Sequence, residues 1–589
     1  MKLFLTLILL TLSLFSNDLK QLSKDTYWKS LLHISNNNTS EIDDENFFLA
    51  KDGKTNPYAE LNATYHQLIT QIEETNTSIQ CRFPLRTKWI KEQLNLNHLP
   101  KHQCTEFNKL YKNINPKSVT LVFPNAHINS PASMFGHTFL RIDSPLNSKL
   151  LSFAINYAAQ ANQNTENGFI FALKGLFGGY YGKYSLLPYY DKLKEYRDTE
   201  QRDIWEYKLN LTQKEIDDMI MHIWEIKDSY SYYYFFDENC SYNILWLLEI
   251  ARPSIHLRDN FLYHVSPPET LFAIKNANLI DKIFYRASKH TKLLQYEKQL
   301  DDNETKSVIE LARGNQNFSD GKTKQQDRYR LEAAIELAEY YYIEAQTPKK
   351  TYLQTIHYLG KQRAQLGLGD TIDIPTPKNP LKAHRQLKLT AGYLDNNVQN
   401  RFLFGIAPSY HNLFDSDIGL LKGTQIEFFN YQGSIYKDTI KTEKLSILSL
   451  ASLAPVSKFF NPLSWKADFS FNKDSLNQKL EFESNLGVGK TITIFNDKNY
   501  FYGLGNIGLR TNLKNTYIGF TTGAILDYYK FKTNLSYQHK YYDNKNEAIY
   551  NITQSFFYTQ NKSIVIDYKN FKQRENSYKN IKLLWNFHF

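Results

Sequence analysis

Residues 581–589 read Ile-Lys-Leu-Leu-Trp-Asn-Phe-His-Phe, so every second side chain from Ile581 to Phe589 is apolar. The positions between them include Lys582, Asn586 and His588. Successive side chains of a β-strand point to opposite faces. The stretch therefore predicts a strand with one apolar face and one largely polar face.

The same period of two begins near Arg385 and recurs up to Phe589 in about twelve segments of strand length, separated by polar turns. An even strand count, aromatic strand ends and apolar-out, polar-in alternation indicate an outer-membrane barrel. A final Phe on an alternating last strand also resembles the terminal signature of such barrels. We predict a C-terminal antiparallel transmembrane β-barrel over residues 381–589, closed by pairing of its first and last strands because hydrocarbon tolerates no open sheet edge. A soluble β-sandwich, which also alternates, is the alternative.

The 589 residues exceed what one hydrophobic core usually holds, so several domains are expected upstream of the barrel. Residues 17–110 and 271–380 show mainly helical spacing, whereas residues 111–270 mix strand and helix patterns. The clearest helical spacing is at Leu331, Ala334, Ile335, Ala338 and Tyr341. The predicted fold class is α+β multidomain: a helical N-terminal domain, a mixed α+β domain, a helical linker domain and the barrel.

Residues 1–16 carry one Lys, then an apolar run and a Ser-Leu-Phe-Ser end, which is typical of a signal peptide. The run is too short to cross about 30 Å of hydrocarbon as a helix. We expect an exported protein, with the mixed α+β domain in the periplasm and the barrel in the cell outer membrane. Nucleic acid is not an expected partner. The net charge of +10 fits either contact with anionic lipid head groups or scattered surface lysines.

A cysteine stands at the predicted start of a helix. Residues 236–243 read Phe-Asp-Glu-Asn-Cys-Ser-Tyr-Asn, and two residues that cap helices, Asp237 and Asn239, precede an apolar run after Cys240. A helix N-terminus lowers the pKa of a thiol, and a nearby imidazolium lowers it further. Because no second Cys or His stands at ligand spacing from Cys240, we expect no metal there and no cofactor.

His137 is the candidate partner of this thiol. Residues 138–142 alternate as a strand does, so the imidazole is expected on a rigid element. On the next predicted strand, residues 149–157, Asn156 is placed to accept the other N–H of an imidazole, the orienting role of the third group in Cys-His-Asn sites. The other interpretation of Asn156 is a cap at a strand end.

The segment between the two motifs is unusually aromatic. Residues 168–190 contain five glycines and five tyrosines, and include Phe169, Phe177 and Tyr180. An apolar, flexible segment in this position favours a slot for an acyl chain or a lid that contacts lipid. A plain hairpin with a buried edge is the other interpretation.

The two remaining cysteines, Cys81 and Cys104, lie on either side of one helical stretch. An oxidising compartment allows this pair to form a disulfide and leaves Cys240 free. Three unpaired buried thiols are the alternative.

Three blocks of this chain resemble the N-terminal periplasmic domain of the Lnb lipoprotein N-acyltransferases. They are Asn-Ser-Pro-Ala-Ser-Met-Phe-Gly-His-Thr-Phe-Leu (129–140), Ser-Phe-Ala-Ile-Asn-Tyr-Ala (152–158) and Glu-Asn-Cys-Ser (238–241), in that order. The order of His strand and Cys helix is also similar to the permuted papain-like folds of lecithin retinol acyltransferase and its NlpC-type relatives. The resemblance covers roughly a quarter of the chain.

The resemblance implies a permuted papain-like domain that takes an acyl chain from a membrane phospholipid onto Cys240 and passes it to an amine, such as a lipoprotein N-terminus. His137 and Asn156 are the implied catalytic partners. Expected substrate contacts come from the matching blocks and from the aromatic segment: Ser133, Asn239, Phe169, Phe177 and Tyr180. The barrel departs from the family pattern, which leaves the acceptor open.

Two other functions remain open at this point. A papain-like cell-wall peptidase or amidase would use the same Cys and His, but it would need a polar pocket that holds a peptide. A barrel that carries a periplasmic binding module without chemistry is the third possibility.

Overall fold

The computed structural model describes residues 18–35, 38–71, 75–125, 136–146, 148–160, 174, 178–193, 201–261, 265–396, 400–408, 410–473, 479–495, 497–543, 545–573 and 576–589. The chain divides into two compact units. The first contains the chain up to residue 124 together with 137–196 and 204–286, and the second contains 125–136, 197–203 and 287–589. The predicted signal peptide, residues 1–16, lies outside the described residues.

The first unit opens with short helices, as the spacing in residues 17–110 predicted. They are α1 (Thr26–Leu31), α2 (Pro57–Thr70), α3 (Ile79–Arg82), α4 (Pro84–Gln93) and α5 (Thr105–Ile114). The rings of Trp28 and Trp89 stack with centroids 5.5 Å apart, which joins α1 to α4. Cys81 and Cys104 form the predicted disulfide, with Cα atoms 5.1 Å apart.

An antiparallel seven-stranded sheet forms the centre of the first unit. Its strands are β1 (Ser118–Pro124), β2 (Phe139–Asp143), β3 (Phe153–Ala159), β4 (Tyr180–Pro188), β5 (Ile204–Leu209), β6 (Ser231–Tyr233) and β7 (Ile280–Arg286), in the spatial order β6-β4-β3-β2-β1-β5-β7. The helices of this part are α6 (Tyr189–Leu193), α7 (Gln213–Ile226), α8 (Cys240–Ala251) and α9 (Pro267–Asn276). Helix α8 packs on β2, β3 and α7, so it is buried along almost its whole length.

Two local predictions were wrong. Residues 280–286, assigned to a helical stretch, form β7 and pair with β5 at the edge of the sheet. The run Ile-Phe-Tyr suits a pleated surface, and edge pairing outweighs the weak helical spacing around it. His137 precedes β2 and is not part of it, and Phe139, Leu140 and Arg141 are all buried because both faces of β2 are covered.

Four helices open the larger stretch of the second unit. They are α10 (Lys289–Gln299), α11 (Asp302–Ala312), α12 (Lys324–Ile343) and α13 (Lys349–Gln365). The positions with predicted helical spacing lie on α12, and Leu331, Ala334 and Ala338 are buried in the shared core while Ile335 packs at its margin.

The second unit ends in the predicted barrel. Its strands are β8 (Lys388–Asp395), β9 (Asn400–Ala407), β10 (Tyr410–His411), β11 (Thr424–Tyr436), β12 (Thr439–Ser452), β13 (Ser464–Lys473), β14 (Leu480–Ile494), β15 (Asn499–Arg510), β16 (Asn512–Tyr528), β17 (Phe531–Tyr541), β18 (Asn546–Thr559), β19 (Lys562–Gln573) and β20 (Asn576–His588). In the described part of the chain, β10 has two residues and the other twelve strands form a closed antiparallel ring. The ring closes as predicted, because β20 pairs with β8, and β9 pairs with β11.

The barrel has the polarity of a membrane protein. On β17, Phe531 and Leu535 are exposed on the outer face, whereas Lys532, Asn534 and Lys540 are buried on the lumen side. Ion pairs between nearby strands line the lumen, among them Arg401–Glu443 at 2.8 Å and Arg510–Glu481 at 2.8 Å. A soluble sandwich would bury its apolar face. Closure, an apolar exterior and a charged interior are the features of an outer-membrane barrel.

Among the described helices, none combines the length and the apolar character that a membrane span requires.

Candidate active site

Cys240 is the first residue of α8, as the capping pattern predicted. Asn239 caps the helix: its Oδ1 accepts from the N–H groups of Ser241 at 2.9 Å and Tyr242 at 3.2 Å. Its amide group donates to the carbonyls of Phe235 and Val265. The observed contacts of Asn239 are those of a helix cap, and its contact with substrate stays a prediction.

His137 and Asn156 come together across two neighbouring strands. His137 lies just before β2, Asn156 lies on β3, and the Nε2 atom of His137 is 2.7 Å from Oδ1 of Asn156. Asn156 is 3% exposed and paired within the sheet, so it is not a strand-end cap. Since Nε2 meets an acceptor, the carboxamide favours the tautomer that leaves Nδ1 for the thiol.

The thiol of Cys240 and the imidazole of His137 lie within hydrogen-bonding reach of one another. Burial raises the pKa of the Cys240 thiol, but the charge of His137, its hydrogen bond and the Thr138 backbone N–H outweigh burial and lower that pKa to about 7. Burial alone would lower the pKa of His137; the Cys240 thiolate and the Asn156 bond raise it instead. The two groups thus favour a thiolate–imidazolium pair.

A hydroxyl contact fixes the start of α8 to the start of β2. The hydroxyl oxygens of Thr138 and Ser241 are 3.0 Å apart, and the Ser241 hydroxyl is 3.9 Å from the sulfur of Cys240. Both side chains are fully buried. This contact joins the residues that follow His137 and Cys240 in sequence, and so holds base and nucleophile in register.

Tyr233 is a site residue that the sequence analysis did not single out. It ends the short edge strand β6, it is paired with Tyr180 of β4, and its hydroxyl lies within hydrogen-bonding reach of the backbone N–H and the thiol of Cys240. Burial raises the pKa of Tyr233 well above its usual value, so the hydroxyl remains a donor. The alternation of Ser-Tyr-Tyr (231–233) could have predicted its position. In a strand with Tyr232 on the exposed face, Tyr233 points to the opposite, inner face.

Further aromatic rings pack beside Tyr233. Tyr157 lies 4.9 Å from Tyr184 and 6.1 Å from Tyr233 between ring centroids. The ring of Tyr157 covers Gly182, where an added Cβ would meet the phenol oxygen at 2.1 Å, so only glycine fits there. The predicted slot residue Tyr180 is buried beside this group, whereas Ser133, Phe169 and Phe177 lie outside the described residues.

A second group of tyrosines is exposed on the outer side of β4 and β6. The ring of Tyr181 lies 4.4 Å from Tyr230 and 5.5 Å from Tyr232. Tyr181 is 47% and Tyr232 is 39% exposed. Tyrosines in such a position present an apolar ring with a polar tip, which suits the boundary between water and lipid.

Two carboxyl groups also lie near the start of α8. Burial, with the charges of Glu41 and Asp237, raises the pKa of Glu238 to about 9, so this carboxyl is protonated near neutral pH. Glu41 accepts hydrogen bonds from Tyr242 at 2.8 Å and from Trp246 at 2.6 Å. These contacts connect the N-terminal helical segment to α8.

Comparison with known families accounts for most of the chain in four pieces. Residues 106–277 match the Lnb N-terminal periplasmic domain. Residues 20–93, 283–375 and 377–588 match three domains of unknown function, DUF7843, DUF7842 and DUF7840. A comparison with curated proteins found no match.

Among solved structures, the barrel region is similar to a KdgM porin, with 10% identity over 34% of this chain and 99% of the porin and a TM-score of 0.23. It is also similar to the outer membrane protein Omp33 of Acinetobacter baumannii. The two share 9% identity over 35% of this chain and 100% of Omp33, with a TM-score of 0.22. The outer-membrane assignment rests on the closure and polarity of the barrel itself.

Proposed function

We propose that the Lnb-type domain, residues 106–277, is a thiol-dependent acyltransferase in the periplasm, anchored by the outer-membrane barrel. The observation that carries this proposal is the contact of a helix-capped Cys240 with His137, whose other nitrogen is held by Asn156 at 2.7 Å. The donor we propose is a membrane phospholipid. The acceptor is an amine, such as the N-terminus of a lipoprotein.

The first half-reaction forms a thioester. The Cys240 thiolate attacks the ester carbonyl carbon of the donor, and the carbonyl electron pair moves to oxygen. When this intermediate collapses, the ester C–O bond breaks and the leaving glycerol oxygen takes the proton of the His137 imidazolium. The products are a lysophospholipid and acyl-Cys240.

The second half-reaction releases the chain. An amine nitrogen attacks the thioester carbon and gives a proton to the neutral His137 imidazole, and the C–S bond breaks to return the thiolate. In both half-reactions a negative charge develops on the carbonyl oxygen. We propose that the hydroxyl of Tyr233 donates to that oxygen, and that the backbone N–H of Cys240, which bonds the Tyr233 hydroxyl in the absence of substrate, turns to the same oxygen when substrate is bound.

Two features favour a lipid donor over a cell-wall peptide. The ring of Tyr233 reaches the thiol, and the rings of Tyr157 and Tyr184 continue from it, so the described aromatic residues on this side suit an acyl chain better than a charged peptide. The exposed pair Tyr181 and Tyr232 suits a lipid boundary. That Cys240 faces the inner leaflet, next to a slot lined by the aromatic segment, stays a prediction.

The test uses the full chain in phospholipid vesicles whose acyl chains carry an isotope label, with a diacylated lipopeptide that has a free N-terminus. We expect labelled acyl-lipopeptide and lysophospholipid in equal amounts, and neither product with Cys240→Ala. Acetylating the lipopeptide N-terminus should abolish transfer. Cleavage of cell-wall peptides by the wild type but not by Cys240→Ala, without acyl transfer, would instead establish the peptidase alternative.

A further inference from the structure

Three histidines and an aspartate meet at the end of the barrel where β8 begins and β20 ends. His384 precedes β8, His411 lies on β10, Asp415 follows it, and His588 ends β20; we call these four residues the histidine cluster. All four are buried, with exposed fractions of 2–6%. We propose that the histidine cluster binds one transition-metal ion, with Zn²⁺ the best fit.

Ligand atoms of three of the four residues lie close together, and the fourth residue, His588, approaches them beside Asp415. Nε2 of His384 lies 3.1 Å from Nδ1 of His411, and one atom from each of His384, His411 and Asp415 lies within 4.8 Å of the others. Nε2 of His588 lies 3.8 Å from Oδ1 of Asp415. Bond lengths of about 2.0–2.2 Å from zinc to nitrogen and oxygen place tetrahedral ligand atoms roughly 3.3–3.5 Å apart, close to these separations.

One backbone carbonyl fixes two of the tautomers. Nδ1 of His384 lies 2.7 Å and Nδ1 of His588 lies 3.0 Å from the oxygen of Arg385, so each imidazole donates its Nδ1–H to that carbonyl. Both Nε2 atoms then carry their lone pairs toward Asp415 and His411. Histidines that bind metals almost always spend their second nitrogen on such an outer partner.

The third imidazole has its own outer partner. With Nδ1 of His411 directed to His384, its Nε2 lies 3.6 Å from Oδ1 of Asp417. Asp417 is fixed in turn by Lys532 at 2.8 Å. Metal binding selects the tautomer in which Nε2 carries the proton toward this carboxylate and Nδ1 carries the ligand lone pair.

The aspartate divides its two oxygens. Oδ2 of Asp415 lies 3.8 Å from the ammonium of Lys388 and 3.3 Å from the N–H of Asn412, whereas Oδ1 faces His588. Lys388 and Lys532 offset the charges of the two aspartates. A dication bound by three neutral imidazoles and by Oδ1 would compete with Lys388 for the negative charge of Asp415. The weakened attraction between Lys388 and this carboxylate is the main free-energy cost of binding the ion.

The donor set selects the class of metal. Three imidazole nitrogens and one carboxylate oxygen suit Zn²⁺, and also Co²⁺, Ni²⁺ and Cu²⁺, whereas Mg²⁺ and Ca²⁺ take oxygen ligands. The ligands come from the segment before β8, from the segment between β9 and β11, and from the end of β20. A bound ion would therefore cross-link the seam where the barrel closes to the chain segment that lies inside it.

Metal binding by the full chain, purified in detergent without a polyhistidine tag, tests the proposal. A Cys240→Ala background removes the thiol as a competing ligand. After treatment with a chelator, Zn²⁺ is titrated against a chromophoric chelator, and Co²⁺ is added separately to record the visible spectrum of its coordination geometry. We expect one equivalent of Zn²⁺, and an intense tetrahedral Co²⁺ spectrum.

His384→Ala and His411→Ala should each weaken Zn²⁺ binding at least about 100-fold, since loss of an outer partner alone costs 10–100-fold. The matched control is His539→Ala, because His539 lies on β17 and bonds Tyr537 at 2.9 Å, away from the histidine cluster. Gel mobility without heating checks that each variant holds a folded barrel. Binding below half an equivalent by the parent, or equal affinity in parent and His384→Ala, would overturn the proposal.

Discussion

The Nε2 atom of His137 lies 2.7 Å from Oδ1 of Asn156, and the other side of the same imidazole contacts the Cys240 thiol. One ring thus connects a strand to a helix start about a hundred residues further along the chain. A buried thiolate is stable here because the His137 imidazolium, the Thr138 backbone N–H and the Ser241 hydroxyl interact with it at the N-terminus of α8.

The first prediction concerns the ionisation of Cys240. Alkylation of the thiol by iodoacetamide should rise with pH and reach its half-maximal rate near pH 7, the pKa to which His137 brings the thiol. In His137→Ala the burial remains and the imidazolium is lost, so the midpoint should move upward by more than one pH unit. Mass spectrometry of the Cys240 peptide follows the rate. An unchanged midpoint in His137→Ala would show that His137 does not lower the pKa of the Cys240 thiol.

The second prediction concerns Asn156. Asn156→Ala removes the acceptor that orients His137 and should lower the rate of Cys240 acylation by roughly 10²-fold, the lower end of general acid–base contributions. Asn156→Asp keeps an acceptor at the same position and should lose less. The pH midpoint of alkylation should move less in Asn156→Ala than in His137→Ala, and an Asn156→Ala enzyme with full acylation rate would rule out the orienting role.

Tyr233 carries the third prediction. Tyr233→Phe keeps the ring among Tyr157 and Tyr184 but removes the hydroxyl beside the Cys240 N–H. The rate of acyl transfer should fall by roughly 10²-fold or more, as for the loss of one oxyanion donor, while the alkylation rate, which loses only the bond from this hydroxyl to the thiol, should fall much less. Equal losses in both measurements would indicate a defect of the thiolate instead.

The fourth prediction is a pH effect on stability at Glu238. Its pKa is about 9 in the folded protein and ordinary in the unfolded chain, so the unfolded state releases a proton between about pH 4.5 and 9 that the folded state keeps. Stability is therefore lost as pH rises through this window. Glu238→Gln should raise the melting temperature at pH 8.5 and leave it nearly unchanged at pH 4.5. Thermal unfolding followed by tryptophan fluorescence measures both temperatures.

The fifth prediction compares two faces of one strand. Leu535→Lys places a charge on the outer face of β17 and should destabilise the barrel by about 2–4 kcal/mol in a bilayer if the site is near the midplane. The matched control is Gln538→Lys, because Gln538 lines the lumen. This substitution should lower the free energy of unfolding far less. Urea unfolding in vesicles measures both. Similar costs on the two faces would argue for a water-soluble barrel.

Patterns that repeat locally were predictable from sequence. The period of two from Arg385 to Phe589 gave the barrel and its closure, and the cap at Asn239 gave the start of α8. The pairing of His137 with Asn156 was predictable because His137 stands directly before one strand and Asn156 lies on the next strand along the chain. Each of these depends on residues that are near in sequence or share a simple period.

Features that depend on tertiary placement were not predictable. Strand β7 forms at a sheet edge despite weak helical spacing around it, because pairing with β5 decides its conformation. Tyr233 reaches Cys240 through the pairing of β6 with β4. The histidine cluster combines residues 384, 411, 415 and 588, and only the closure of the barrel brings the last of these to the first.

The most direct test of the account is the mass of the Cys240 peptide after incubation of the purified protein with phospholipid vesicles and no acceptor. We predict an adduct equal to one fatty acyl chain, bound to Cys240, released by neutral hydroxylamine as a thioester is, and absent from His137→Ala at the same time point. An unmodified Cys240 beside a fully folded domain, or an acyl chain on another residue, would contradict the proposed function.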